Sequence, residues 1–265
     1  MVFFGLFLPV LIAGGSVYMF KINKIVLKLI VAFSGSYLLS LVFNELLPRI
    51  YNILAIQSLS DTQNNLIHNH EGHAPHYIIG LLILAGFFIQ LLLDYLTKGI
   101  EHGHTGHPHI HEGKCEDNHI HHTSVIPVLI GLCLHSFLEG MPLADGLSNV
   151  NLQNRLLAGI IIHNIPISIV LVSLMLQFRF SMPKAFSFLM LFALASPAGA
   201  LLTHFFGSQL MAGSDYFFNY IMAIVVGIFL HISTTILFET DEGHKFNILK
   251  FITMMVGVFA ALIHF

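Results

Sequence analysis

Charge is what this chain of 265 residues has least of. Asp, Glu, Lys and Arg together make up 9% of it, where soluble domains carry about a quarter. Too few charged groups are present to solvate a globular surface, and a hydrophobic content of 55% takes their place. Cysteine is confined to Cys115 and Cys133, which fit no disulfide framework. Excess positive charge is missing as well: the net charge of -3 argues against a nucleic-acid partner. A phosphate-binding glycine loop and a soluble nucleotide-binding domain are both lacking, which argues against ATP hydrolysis. Against these shortages stands one surplus. The chain holds 18 histidines, more than its 11 Lys and Arg combined.

Eight apolar runs are laid out at about 2–20, 27–51, 76–98, 124–147, 153–176, 183–208, 216–239 and 247–264. Each approaches the roughly 20 residues that a helix needs to cross a bilayer. The expected fold is therefore all-α, one membrane domain over 1–265 with eight transmembrane helices. The first twenty residues have no basic start and no small-residue cleavage site, so they read as a first span and not as a removable leader.

Basic residues flanking the spans set the orientation. With an external N-terminus, Lys21, Lys24, Lys28, Lys98, Lys114, Arg179, Lys184, Lys245 and Lys250 face the cytosol, and only Arg49 and Arg155 face outward. An even number of spans then leaves both termini extracytoplasmic, in a plasma (inner) membrane. The connector 99–123 falls on the cytosolic side. It carries His102, His104, His107, His109, His111, His119, His121 and His122 among Gly and Pro. Such a tract builds no packed core and reads as an auxiliary metal-binding loop. A second set, His68, His70, His73 and His76, precedes the third span on the outer side.

The chemistry concentrates in the fourth and fifth runs. The fourth contains His135-Ser136-Phe137-Leu138-Glu139-Gly140, and the fifth contains His163-Asn164-Ile165-Pro166-Ile167-Ser168. Ionisable side chains at bilayer depth are costly and mark function by default. On a helix His135 and Glu139 are four apart and share a face. No Lys or Arg lies in the fourth run to compensate Glu139. A divalent cation held by His135, Glu139 and His163 resolves that cost, with Asn164 and Ser136 as weaker oxygen donors. The nitrogen and oxygen donors suit zinc, with iron(II), manganese and cobalt as alternatives. The bland alternative is a protonated Glu139 hydrogen-bonded across helices. Pro142, Pro166 and Pro197 each free a backbone carbonyl inside a span, as bends around a midplane site require. Glu45 and Asp145 fall near the outer span ends and suit an acidic mouth. His231 in the seventh run is a lesser candidate.

His-Ser-Phe-Leu-Glu-Gly, followed about 25 residues later by His-Asn-Ile-Pro, resembles the ZIP (Zrt/Irt-like) family of divalent-metal transporters. The resemblance implies eight spans, external termini, a histidine-rich cytosolic loop after the third span, and zinc uptake into the cytosol. It also implies that the first, fourth, fifth and sixth spans move as a unit against the other four, in a homodimer. The family's second carboxylate in the fifth span is missing here, its matching positions being Ile167 and Ser168. In the sixth span, Ser196 stands where some members carry Glu. Those departures favour one metal site over two.

The function expected from the sequence is secondary transport of zinc, or a related dication, into the cytosol, with no enzymatic activity. A metal-binding sensor that does not transport is the alternative. An intramembrane metal-dependent hydrolase ranks below both, because no His-Glu-x-x-His motif is present.

Overall fold

The computed structural model describes residues 2–20, 23–52, 76–97, 125–144, 150–210, 216–238 and 248–263. Eight apolar helices run through these residues, and no strand occurs among them. They are α1 (Val2–Ser16), α2 (Lys24–Leu41), α3 (His76–Thr97), α4 (Val125–Gly140), α5 (Val150–Gln177), α6 (Met182–Leu210), α7 (Tyr216–Phe238) and α8 (Ile248–Leu262). Helix α2 continues past a π-helical turn, Val42–Leu46, to Asn52. Six of the eight are long and apolar enough to cross a membrane. The other two, α1 and α8, have 15 residues each. At 1.5 Å per residue that is about 22 Å, less than the ~30 Å hydrocarbon core.

The helices associate in two groups. Helices α1, α4, α5 and α6 pack on one another, with α4 against α6 and α1 against both α5 and α6. Helices α2, α3, α7 and α8 form the other group, with α3 against α7 and α2 against α8 and α7. The groups meet where α2 touches α5 and α3 touches α4. This is the division that the family resemblance implies. One core lies inside the first group and the other joins the two groups. Val10, Leu132, Leu171, Leu189 and Phe192 fill the first group. Leu38, Leu41, Leu156, Ile160, Val226 and Phe229 fill the seam between α2, α5 and α7.

Glycine sets two of these contacts. A Cβ on Gly140 would sit 2.0 Å from the Ser196 carbonyl oxygen, and one on Gly199 would sit 2.0 Å from that of Phe137. The backbones of α4 and α6 therefore approach with no room for a side chain at either position. The same device joins α3 to α7, where Gly86 faces the Ile224 carbonyl and Gly227 that of Ile83. Large apolar side chains turn outward at helical spacing, among them Leu84, Phe88 and Leu92 of α3 and Ile252, Val256 and Phe259 of α8. An outward stripe of that kind suits lipid and not water.

One local feature departs from expectation. The fourth run was expected to stay helical to about 147; α4 instead ends at Gly140 and gives way to a 3-10 turn, Met141–Leu143. Pro142 lies in that turn, and the amide it lacks cannot sustain an α-helical ladder. By contrast, α5 and α6 stay helical through Pro166 and Pro197. The connectors 53–75 and 98–124 lie outside the described residues, and with them His68, His70, His73 and all eight histidines of the 99–123 tract.

Candidate metal site

Helix periodicity puts His135 and Glu139 on one face of α4, and both side chains are fully buried. His135 Nε2 lies 3.2 Å from Glu139 Oε1. Helix α5 brings His163 to the same carboxylate, its Nε2 at 4.0 Å from Glu139 Oε1. The two imidazole rings meet edge to face, their centroids 5.7 Å apart. One donor atom from each of the three residues lies within 4.8 Å of the other two. Ligand atoms around tetrahedral zinc, with bonds of 2.0–2.1 Å, are separated by about 3.4 Å. Two of the observed separations, 3.2 and 4.0 Å, bracket that value, and the third is within 4.8 Å.

The electrostatics favour a cation. Neither oxygen of Glu139 accepts a hydrogen bond, and no Lys or Arg pairs with it among the described residues. A carboxylate so placed is costly as an anion unless positive charge joins it. A dication supplies that charge and takes both imidazoles in their neutral form. Three protein ligands would leave a coordination position open, as an exchangeable site requires.

The other expected ligands divide. Asn164 is buried, and its Oδ1 accepts no hydrogen bond, which leaves an oxygen free to coordinate. Ser136 is committed elsewhere: its Oγ lies 2.6 Å from Ser196 Oγ on α6, and Ser196 Oγ donates to the Ser136 carbonyl at 2.9 Å. The hydroxyl pair stands where the family resemblance placed a further carboxylate. Ile167 is buried in the apolar core of the first group, and Ser168 donates to the Ile165 carbonyl at 2.7 Å. Nothing in this neighbourhood offers a second anionic ligand among the described residues.

Glu45, expected at an acidic mouth, lies in the π-helical turn of α2 and forms an ion pair with Arg155 of α5. Its charge is thereby compensated, while Asp145 lies outside the described residues. His204 is exposed, its ring edge to face with that of Phe205. Sequence reasoning passed over Gln90. It is fully buried on α3, and its Oε1 lies 2.9 Å from His135 Nδ1. The available signal was a single amide in the apolar stretch from Tyr77 to Leu93.

The family pattern described as ZIP Zinc transporter matches residues 101–264, well over half of the chain and inclusive of His135, Glu139 and His163. Among curated proteins, Zinc transporter ZIP9 of Micropogonias undulatus is 28% identical over 138 residues, 51% of this chain and 42% of that protein. Zinc transporter ZIP9-A of Xenopus laevis is 26% identical over 144 residues, covering 54% and 45%. Zinc transporter ZIP9 of Xenopus tropicalis is 27% identical over 139 residues, covering 52% and 43%. The matched stretch thus spans under half the length of each of these relatives. With six helices suited to crossing a membrane and a buried His-Glu-His cluster on the matched segment, this chain belongs to the ZIP zinc transporter family.

Proposed function

We propose that the chain carries zinc across a plasma (inner) membrane into the cytosol, through one intramembrane site of His135, Glu139 and His163. Asn164 adds a neutral oxygen, and Ser136 holds α4 to α6. The observation that carries this reading is the convergence of three buried donor side chains on one point, with a carboxylate that no Lys or Arg joins among the described residues. In this reading all eight helices span, both termini are external, and the 99–123 histidines receive the ion on the cytosolic side. A homodimer is the assembly that the family resemblance favours.

The chemistry of the step follows from the ligands. A hydrated dication loses water as two imidazole nitrogens and a carboxylate oxygen replace it. Glu139 contributes most of the attraction, because charge in a low-dielectric site is weakly screened. The imidazoles contribute selectivity for borderline metals over magnesium and calcium, which prefer all-oxygen shells. Iron(II), manganese and cobalt are the alternative cargoes.

The test is zinc accumulation by proteoliposomes containing the wild type, Glu139→Ala or His163→Ala. The wild type accumulates zinc and both variants stay at the level of empty vesicles. Equal uptake by all three removes the site assignment. A second reading, a metal sensor that does not transport, draws on Ile167 and Ser168 standing where a second carboxylate is expected. Zinc bound by the wild type without entering the vesicles selects it.

A further inference from the structure

Gln90 belongs to neither of the helices that carry the ligands, yet it touches one of them. It sits on α3, in the opposite helix group, with no exposed surface, and its Oε1 faces His135 Nδ1 at 2.9 Å. A neutral imidazole carries its proton on one nitrogen only. With the proton on Nδ1, donated to the Gln90 carbonyl, the Nε2 lone pair points toward Glu139, 3.2 Å away. With the proton on Nε2, it is donated to the Glu139 carboxylate instead and occupies the place of the ion. Metal-bound histidines depend on such outer partners to fix tautomer and ring orientation. We propose that Gln90 is a positioning residue for the zinc site, selecting the His135 tautomer that binds metal.

The placement of Gln90 supports this. It stands one helical turn beyond Gly86, whose contact with the Ile224 carbonyl presses α3 onto α7 with no room for a Cβ. Its backbone height is therefore fixed by the second helix group, while the height of His135 is fixed by the first. The hydrogen bond bridges the two, so zinc affinity depends on how α3 lies against α4. Alternating access moves one bundle against another around the bound ion. Any such movement that parts α3 from α4 removes this bond and weakens the site.

The inference rests on the zinc-transport reading above, and the experiment separates the two. Zinc titrations of purified protein compare the wild type, Glu139→Ala, Gln90→Met, Gln90→Glu, His135→Ala and the double variant Gln90→Met/His135→Ala. Gln90→Met keeps length and loses the acceptor, and it weakens zinc binding about 10-fold to 100-fold, the range for outer partners of ligating histidines. Gln90→Glu restores an acceptor and brings affinity back to within about 3-fold. In a His135→Ala background Gln90→Met has no further effect, a result that a general packing defect does not give. In proteoliposomes Gln90→Met raises KM while the maximal rate is kept. If Gln90→Met does not fold, Gln90→Asn, one methylene shorter, stands in its place with the same expectation. Affinity within 2-fold of wild type for Gln90→Met, or an equal loss with and without His135, overturns the role of Gln90. Unchanged binding by Glu139→Ala overturns instead the site on which it rests.

Discussion

Among the described residues an imidazole meets a carboxylate in two places, and the two differ in what surrounds them. At His135 and Glu139 the pair is completely buried, a second histidine arrives from the neighbouring helix, and the carboxylate accepts no hydrogen bond. At His231 and Asp94 the separation is 3.8 Å and the Asp94 side chain keeps 18% of its surface exposed. There the ring rests edge-on against Phe87, 4.9 Å between centroids. The first pair lies on α4 and gains its third member from α5; the second joins α3 to α7 within one helix group, with no third ligand among the described residues. The lesson is that an ionisable residue in a span does not by itself make a metal site. The first pair differs by the convergence of a third donor and by the full burial of its carboxylate, the two features on which the proposed metal site rests.

That contrast is open to attack by substitution. Glu139→Ala removes the only anion of the buried cluster, and zinc affinity falls by more than about 100-fold, beyond the range expected for outer-shell changes. Calorimetric titration reads it, and a loss under 10-fold puts the main attraction elsewhere. His163→Ala leaves a two-ligand pair resembling His231 with Asp94, and affinity falls by about 100-fold. A wild-type affinity in that variant breaks the claim that the third donor matters. Gly140→Ala drives a Cβ toward the Ser196 carbonyl and pushes α4, with Glu139 one residue away, off α6. Overpacking of this kind costs about 1–3 kcal/mol, read as a lower melting temperature, and zinc affinity drops with it. An unchanged melting temperature contradicts the close approach of α4 to α6. His231→Ala comes last: zinc affinity stays within about 3-fold of wild type. A larger loss makes the second pair part of the binding site and removes the distinction.

Much of this was readable from sequence, for physical reasons. Apolar runs long enough to span a bilayer have a single stable backbone solution, so the eight helices fall close to their expected bounds. Four-residue spacing on a helix fixed the His135–Glu139 face without any knowledge of the fold. The ends were less legible. Pro142 ends α4, whereas Pro166 and Pro197 are absorbed within longer helices. The π-helical turn at Val42–Leu46 has no residue signature, and it places Glu45 against Arg155 instead of at an open acidic mouth. Ser136 sits in the motif yet turns to Ser196, because a helix has several faces and spacing alone does not choose among them. Gln90 was the residue passed over. A lone buried amide gains meaning only when a histidine from another helix is seen opposite it.

The most direct test of the central claim is the zinc retained per chain by purified wild type and by Glu139→Ala, measured side by side so that zinc held by the histidine-rich tract cancels. One zinc more in the wild type is the predicted difference. Equal zinc in the two proteins contradicts the assignment of His135, Glu139 and His163 as the site that holds the ion.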